Sequence, residues 1–279
     1  MKFFPFLDTQ EIRQNMEQVI AYAGVSQDGL SLKGQFMSAI QQLQGTYIPW
    51  TDGAIEFEFA NERTAGILAG MGMLEPHEVA SRHHLLSPQG QRNVQNYLDK
   101  ACGILNTLHP GLYYNLLQLI GAISVYKKPG SGGGSVSTYV GHIWISPIKR
   151  WTVLEYGEAL YHEFIHNSLF LDDMVHRIFL DPKRLGEEDA LVTSAILKIR
   201  RPLDRSFHAA CVAIGLMHYY WMLHDETKAE SFKEPVSVTI KEINEKTSYL
   251  GDRGKEILQM MNDFLARPDY ETISEGLLA

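Results

Sequence analysis

The chain has 279 residues, 45% hydrophobic and 21% charged, with a formal net charge of −8 and only two cysteines, Cys102 and Cys211. This composition excludes wholesale disorder, collagen and a continuous coiled coil. It carries no basic stripe for nucleic acid and too few cysteines for a disulfide framework, which fits a reducing compartment. No apolar run reaches the ~18 residues of a membrane span, and the start, Met1 to Asp8, turns acidic too soon for a signal peptide. The expectation is a soluble cytoplasmic protein with no nucleic-acid or membrane partner.

In chain order, Asp8 with Glu11 reads as a capping box opening a helix that runs to about Gly24. A second helix is expected near Ser31–Gly45. Residues 46–60 are ambiguous, with an alternation over Ile55–Phe59 that suits a short strand. Ser87-Pro88 starts a long helix that His109-Pro110 ends. Ile123–Tyr126 and Tyr139–Ile145 read as two strands. The run Pro129-Gly130-Ser131-Gly132-Gly133-Gly134-Ser135 between them lacks the lysine of a P-loop and reads as a flexible hairpin tip or a lid. Helices are then expected from Thr152 to about Leu171, from Pro202 to about His224, near Pro235–Tyr249 and over Arg253–Ala266. The fold class is mainly α, with a small antiparallel β-hairpin or sheet beside one helix. No linker divides the chain, so residues 1–279 read as one domain: a helical part (1–120), a metal-site part (about 121–225) and a helical C-terminal part (226–279).

The chemistry is concentrated at His162-Glu163-Phe164-Ile165-His166, an HExxH motif inside the helix expected from Thr152. Residues four apart share a helix face, with Cβ atoms ~5–6 Å apart, so two imidazoles can bind one metal at ~2.0–2.1 Å without bending the helix. Glu163 lies about 100° round the helix, within reach of whatever the pair holds. The apolar flanks, Ala159-Leu160-Tyr161 and Phe164-Ile165, argue for a buried face. Four candidates compete as a third ligand. Asp172 sits six residues on, but Leu169 stands where a glycine would have to turn the chain back. Glu187 and Glu188 have a spacing used by some zinc peptidases, in a run that also suits a solvated helix start. His208 lies early in the Pro202 helix among apolar neighbours, and Cys211 is one turn beyond it.

Other residues have simpler readings. Asp173 and Glu155 each lie seven residues from a motif histidine and suit exposed helix ends. His77, His83 and His84 read as loop or surface residues, and Tyr219-Tyr220-Trp221 as core and helix edge. His142 stands on a strand that can border a cleft, as an edge strand does when a peptide pairs with it.

Three stretches together resemble the HExxH-type iron- and 2-oxoglutarate-dependent peptide β-hydroxylases, which modify ribosomally made peptides. They are Gly141-His142-Ile143-Trp144-Ile145-Ser146-Pro147, Glu158–Asn167 around the motif, and Arg201-Pro202-Leu203 with Phe207-His208-Ala209. They cover about a third of the chain. Phe207 and Ala209 depart from the family's leucine and glycine, and nothing before residue 140 carries the likeness. The resemblance implies His162, His166 and His208 as metal ligands, and Fe(II) over Zn(II). It implies 2-oxoglutarate and O2 as cosubstrates and a precursor peptide as substrate. The distal carboxylate of 2-oxoglutarate wants a bidentate cation. Arg201 is the first choice and Arg205, one helical turn from His208, the second. Glu163 then orients substrate or a neighbouring group rather than acting as a base. The alternative is a zinc metallopeptidase or amidase, with Glu163 as general base and Glu187 or Glu188 completing the site.

Overall fold

A computed structural model describes residues 3–25, 29–128, 130–147 and 151–278. Met1 and Lys2 of the N-terminal stretch and Pro129 of the glycine-rich run lie outside the described residues. The helices in chain order are α1 (Thr9–Ala23), α2 (Leu32–Gln44), α3 (Glu62–Gly70), α4 (Pro76–Ala80), α5 (Pro88–Leu108), α6 (Pro110–Leu119), α7 (Val153–His176), α8 (Leu203–Met222), α9 (Glu226–Glu230), α10 (Lys233–Asn244), α11 (Asp252–Ala266) and α12 (Tyr270–Gly276). The strands are β1 (Glu56–Glu58), β2 (Ala122–Val125), β3 (Gly133–Gly134), β4 (His142–Ile145), β5 (Val192–Thr193) and β6 (Arg200–Arg201). The protein is mainly α. No helix among the described residues is long and apolar enough to cross a membrane.

Local signals account for many boundaries. Asp8 Oδ1 accepts from the backbone N–H of Gln10 and Glu11 at 2.8 and 3.1 Å and opens α1. Ser31 caps α2 through the Gly34 N–H, and Gly45 closes it in the left-handed region at φ 63°. Pro88 and Pro110 stand at the first turns of α5 and α6, where the missing N–H costs nothing. The alternating 55–59 segment supplies β1.

The residues group into two compact units. One comprises 16–167, and the other joins the first fifteen residues to 168–279. Both boundaries fall inside helices, α1 and α7, so no shift of composition marks them.

The 16–167 unit holds a four-stranded sheet of order β1-β2-β4-β3. The expected antiparallel pairing is present, but not between the two strands that flank the glycine-rich run. β2 and β4 run parallel, with Ala122 opposite His142 and Val125 opposite Ile145. Antiparallel pairing occurs instead between β3 and β4, and in the second small sheet between β5 and β6. Gly133 and Gly134, expected at a mobile tip, are therefore part of the sheet. The physical sign was in the strands: Ala122–Val125 and His142–Ile145 are buried at every position, as strands covered on both faces are.

α7 begins with a reciprocal cap that the exposed-end reading of Glu155 overlooked. The Thr152 N–H donates to Glu155 Oε2 at 2.6 Å, and the Glu155 N–H donates to Thr152 Oγ1 at 3.3 Å. The helix runs five residues past the expected end at Leu171, to His176. Tyr156, Leu160, Tyr161, Phe164 and Ile165 are buried over about half of its circumference.

The other unit is organised on α8, which is buried continuously from Ser206 to Tyr220. β5 is tied to α10 by Glu242, which accepts from the Thr193 N–H at 2.7 Å, and by Thr239, whose hydroxyl donates to the Thr193 carbonyl at 2.7 Å. The start of α11 lies so close to the backbone at 177–178 that only glycine fits. A Cβ on Gly254 would stand 2.4 Å from the Ile178 carbonyl oxygen.

Candidate metal centre

On α7 the two motif histidines turn toward each other. Their Nε2 atoms are 3.2 Å apart and their ring centroids 5.0 Å apart. With metal–nitrogen bonds of about 2.1 Å, that separation subtends an angle of roughly 100° at a shared ion, between the octahedral and tetrahedral values. The same contact is a hydrogen bond between the two rings, and a divalent cation held by both nitrogens would take the place of its proton. Burial lowers the His162 pKa to about 4, which keeps the ring neutral and able to ligate, although a quarter of its side chain reaches solvent.

Glu163 is 6% exposed. Its Oε1 lies 3.8 Å from His162 Nε2, and its Oε2 accepts from the Ser135 hydroxyl at 2.8 Å. Burial raises its pKa to about 7, and the Ser135 hydrogen bond works against that rise. Asn167, one turn on, donates to Ser135 Oγ and to the Glu163 carbonyl, both at 3.0 Å. It accepts from the Gly141 N–H at 2.8 Å. Neither Ser135 nor Asn167 stands out in the sequence, because the Ser135–Glu163, Asn167–Ser135 and Gly141–Asn167 contacts all cross between elements. Among the described residues of this unit, no third His, Cys, Asp or Glu joins the histidine pair in a close three-ligand group.

His142 is buried at 1% exposure, and its Nε2 is 2.8 Å from Ser124 Oγ, which also donates to Glu58 Oε2 at 3.1 Å. It belongs to a buried polar row across β1, β2 and β4. His84 is held by the Glu78 carbonyl, 3.1 Å from its Nδ1.

His208 belongs to the other unit. It is 5% exposed on α8, packed on Phe170 with ring centroids 4.9 Å apart, and burial lowers its pKa to about 3. Arg201 lies half-buried on β6 and Arg205 exposed on α8. Among the described residues neither guanidinium makes a hydrogen bond or an ion pair. Burial, and Arg205 beside it, lower the pKa of Arg201. Glu187 and Glu188 are solvated and paired with Arg184 and Arg200, both at 3.3 Å. Cys211 is buried with its Sγ 3.8 Å from Met261 Sδ, and burial pushes its thiol pKa up.

Asp172 has a different role from ligation beside His166. Its carboxylate accepts from Arg253 Nε at 3.1 and 3.2 Å and from Asn15 at 3.0 Å. Glu11, Asp172 and His176 are the one group of three with ligand atoms close enough for a metal among the described residues. Arg253 already pairs with Glu11 and Asp172 of this group and with Glu256. Beside it opens a cavity of about 1130 Å³ whose lining includes His176, Arg253, Glu256 and Phe264 and none of the motif residues.

No protein-family model and no curated protein matches this chain.

Proposed function

We propose that the chain is an Fe(II)- and 2-oxoglutarate-dependent oxygenase that hydroxylates a β-carbon in a ribosomally made peptide. The observation that carries the metal is the convergence of His162 and His166 Nε2 at 3.2 Å on a largely buried helix. The choice of iron, and His208 as the third ligand, rest on the three-part resemblance alone. When bound, iron supplies the activation of O2 at the expense of 2-oxoglutarate. The protein's own side chains do the rest. His162, which burial keeps neutral, and His166 would hold the ion through their Nε2 atoms. Arg201 provides two parallel N–H donors for the distal carboxylate of 2-oxoglutarate, with Arg205 next to it. Glu163, held by Ser135, keeps one carboxylate oxygen toward the histidine pair and can accept a substrate amide N–H.

One observation favours a second reading, a zinc peptidase or amidase. A buried carboxyl with a pKa near 7, 3.8 Å from a ligand nitrogen, is poised as a general base toward a water. Glu187 and Glu188, its expected third ligands, are committed to exposed ion pairs.

The test is an absorption spectrum under nitrogen. Metal-free protein given Fe(II) and then 2-oxoglutarate is expected to develop a visible charge-transfer band. Arg201→Ala is expected to raise the 2-oxoglutarate concentration for half-saturation at least tenfold. Absence of the band, together with stoichiometric zinc and peptide cleavage without oxygen, would replace this reading by the hydrolase.

A further inference from the structure

The hydrogen bonds around Glu163 form a chain with a fixed direction. The Gly141 backbone N–H can only donate, so the Asn167 atom facing it at 2.8 Å is the carbonyl oxygen Oδ1. That leaves the Asn167 amide nitrogen to face Ser135 Oγ, to which it donates at 3.0 Å. The Ser135 hydroxyl then has its proton free to donate, and it does so to Glu163 Oε2 at 2.8 Å. The second amide hydrogen of Asn167 goes to the Glu163 carbonyl at 3.0 Å, locking the amide to α7 itself. One carboxylate oxygen is thus anchored from outside the helix, and Oε1 stays on the side of His162 Nε2.

The glycine-rich run delivers Ser135 to this position. A Cβ on Gly133 would stand 2.8 Å from the Trp144 carbonyl oxygen, and one on Gly134 would stand 2.9 Å from Trp144 Nε1. Only a strand without side chains lies this close to β4, and Ser135 is the first residue after it with a side chain.

We infer that Ser135 and Asn167 are positioning residues of the metal centre, acting through Glu163: they fix its carboxylate so that one oxygen faces whatever cation His162 and His166 hold. The inference rests on the metal-binding part of the reading above and holds for either reaction. An anchored anion beside a ligated divalent ion stabilises that ion, and partners that orient groups around a site are worth about 10–100-fold in metal affinity or activity when lost.

The probe is Co(II), titrated under nitrogen into the metal-free full chain against a competing chelator and followed by its visible bands. Ser135→Ala is expected to weaken Co(II) binding about tenfold and to shift the bands, and Ser135→Thr, which keeps the hydroxyl, to restore both. Glu163→Gln should weaken binding by a similar factor, and the Ser135→Ala/Glu163→Gln double variant should bind no more weakly than Glu163→Gln alone. Equal unfolding temperatures before metal is added keep a folding defect from imitating the effect. Wild-type affinity in Ser135→Ala, or an undiminished loss in the Glu163→Gln background, would overturn the positioning role and leave the metal site standing. Absence of Co(II) binding by the wild-type protein would overturn both.

Discussion

His142 shows how a histidine can sit in a functional neighbourhood and still do structural work. Its ring is stacked on Tyr139 with centroids 4.4 Å apart, and its Nε2 faces Ser124 on β2. Burial lowers its pKa from 6.5 to about 3. Between those values the unfolded chain binds a proton that the folded chain does not, so stability falls as pH drops below 6.5, by about 1.4 kcal/mol per pH unit for this one group. Urea unfolding of the wild type and His142→Gln at pH 5 and pH 6.5 checks it. The substitution is expected to reduce the pH dependence by that slope, and an unchanged dependence would mean that His142 titrates alike in the folded and unfolded chain. From the sequence His142 was legible as a strand residue that could border a cleft. Ser124 and Glu58, the partners that make it structural, lie 18 and 84 positions away on other strands and carry no local signal.

At the scale of elements, patterns with a short period were readable and pairings were not. Capping residues and prolines mark α1, α2, α5 and α6 in the sequence, because those interactions close within one helical turn. The parallel pairing of β2 with β4 depends on β3 taking the antiparallel place beside β4. A run of glycines resembles a mobile tip unless the indole of Trp144 is known to lie against it. The same close approach fixes the α11 junction. Gly254→Ala would drive a methyl into the Ile178 carbonyl oxygen and is expected to cost about 1–3 kcal/mol, read as a lower midpoint in urea. Gly66→Ala, where a Cβ meets nothing within 4 Å, is expected to be neutral or slightly stabilising inside α3. Equal effects at the two sites would remove the packing argument.

Across the whole molecule, the helical class was legible from periodicity, while the division into two units was not, because it runs through the interiors of α1 and α7. Arg253 illustrates what sequence order conceals. It is 11% exposed and gathers Glu11 from the start of the chain, Asp172 from the end of α7 and Glu256 from its own helix. Asp172 was a candidate metal ligand by spacing alone, and its burial at 1% against a guanidinium assigns it to the scaffold. Arg253→Met leaves that carboxylate buried without its cation and is expected to destabilise the protein by about 3–5 kcal/mol. Adding Asp172→Asn, which removes the stranded charge, should recover part of the loss. A thermal shift below that produced by an exposed pair such as Arg184–Glu187 would contradict this role.

The central claim is that His162 and His166 hold one divalent metal ion. Calorimetric titration of metal-free protein with Fe(II) under nitrogen tests it most directly, with His162→Ala and His166→Ala in parallel. One ion per chain is expected for the wild type, and at least a hundredfold weaker binding in each variant with the unfolding temperature of the metal-free protein little changed. Binding of equal strength and stoichiometry in the variants, or no binding by the wild type, would contradict it.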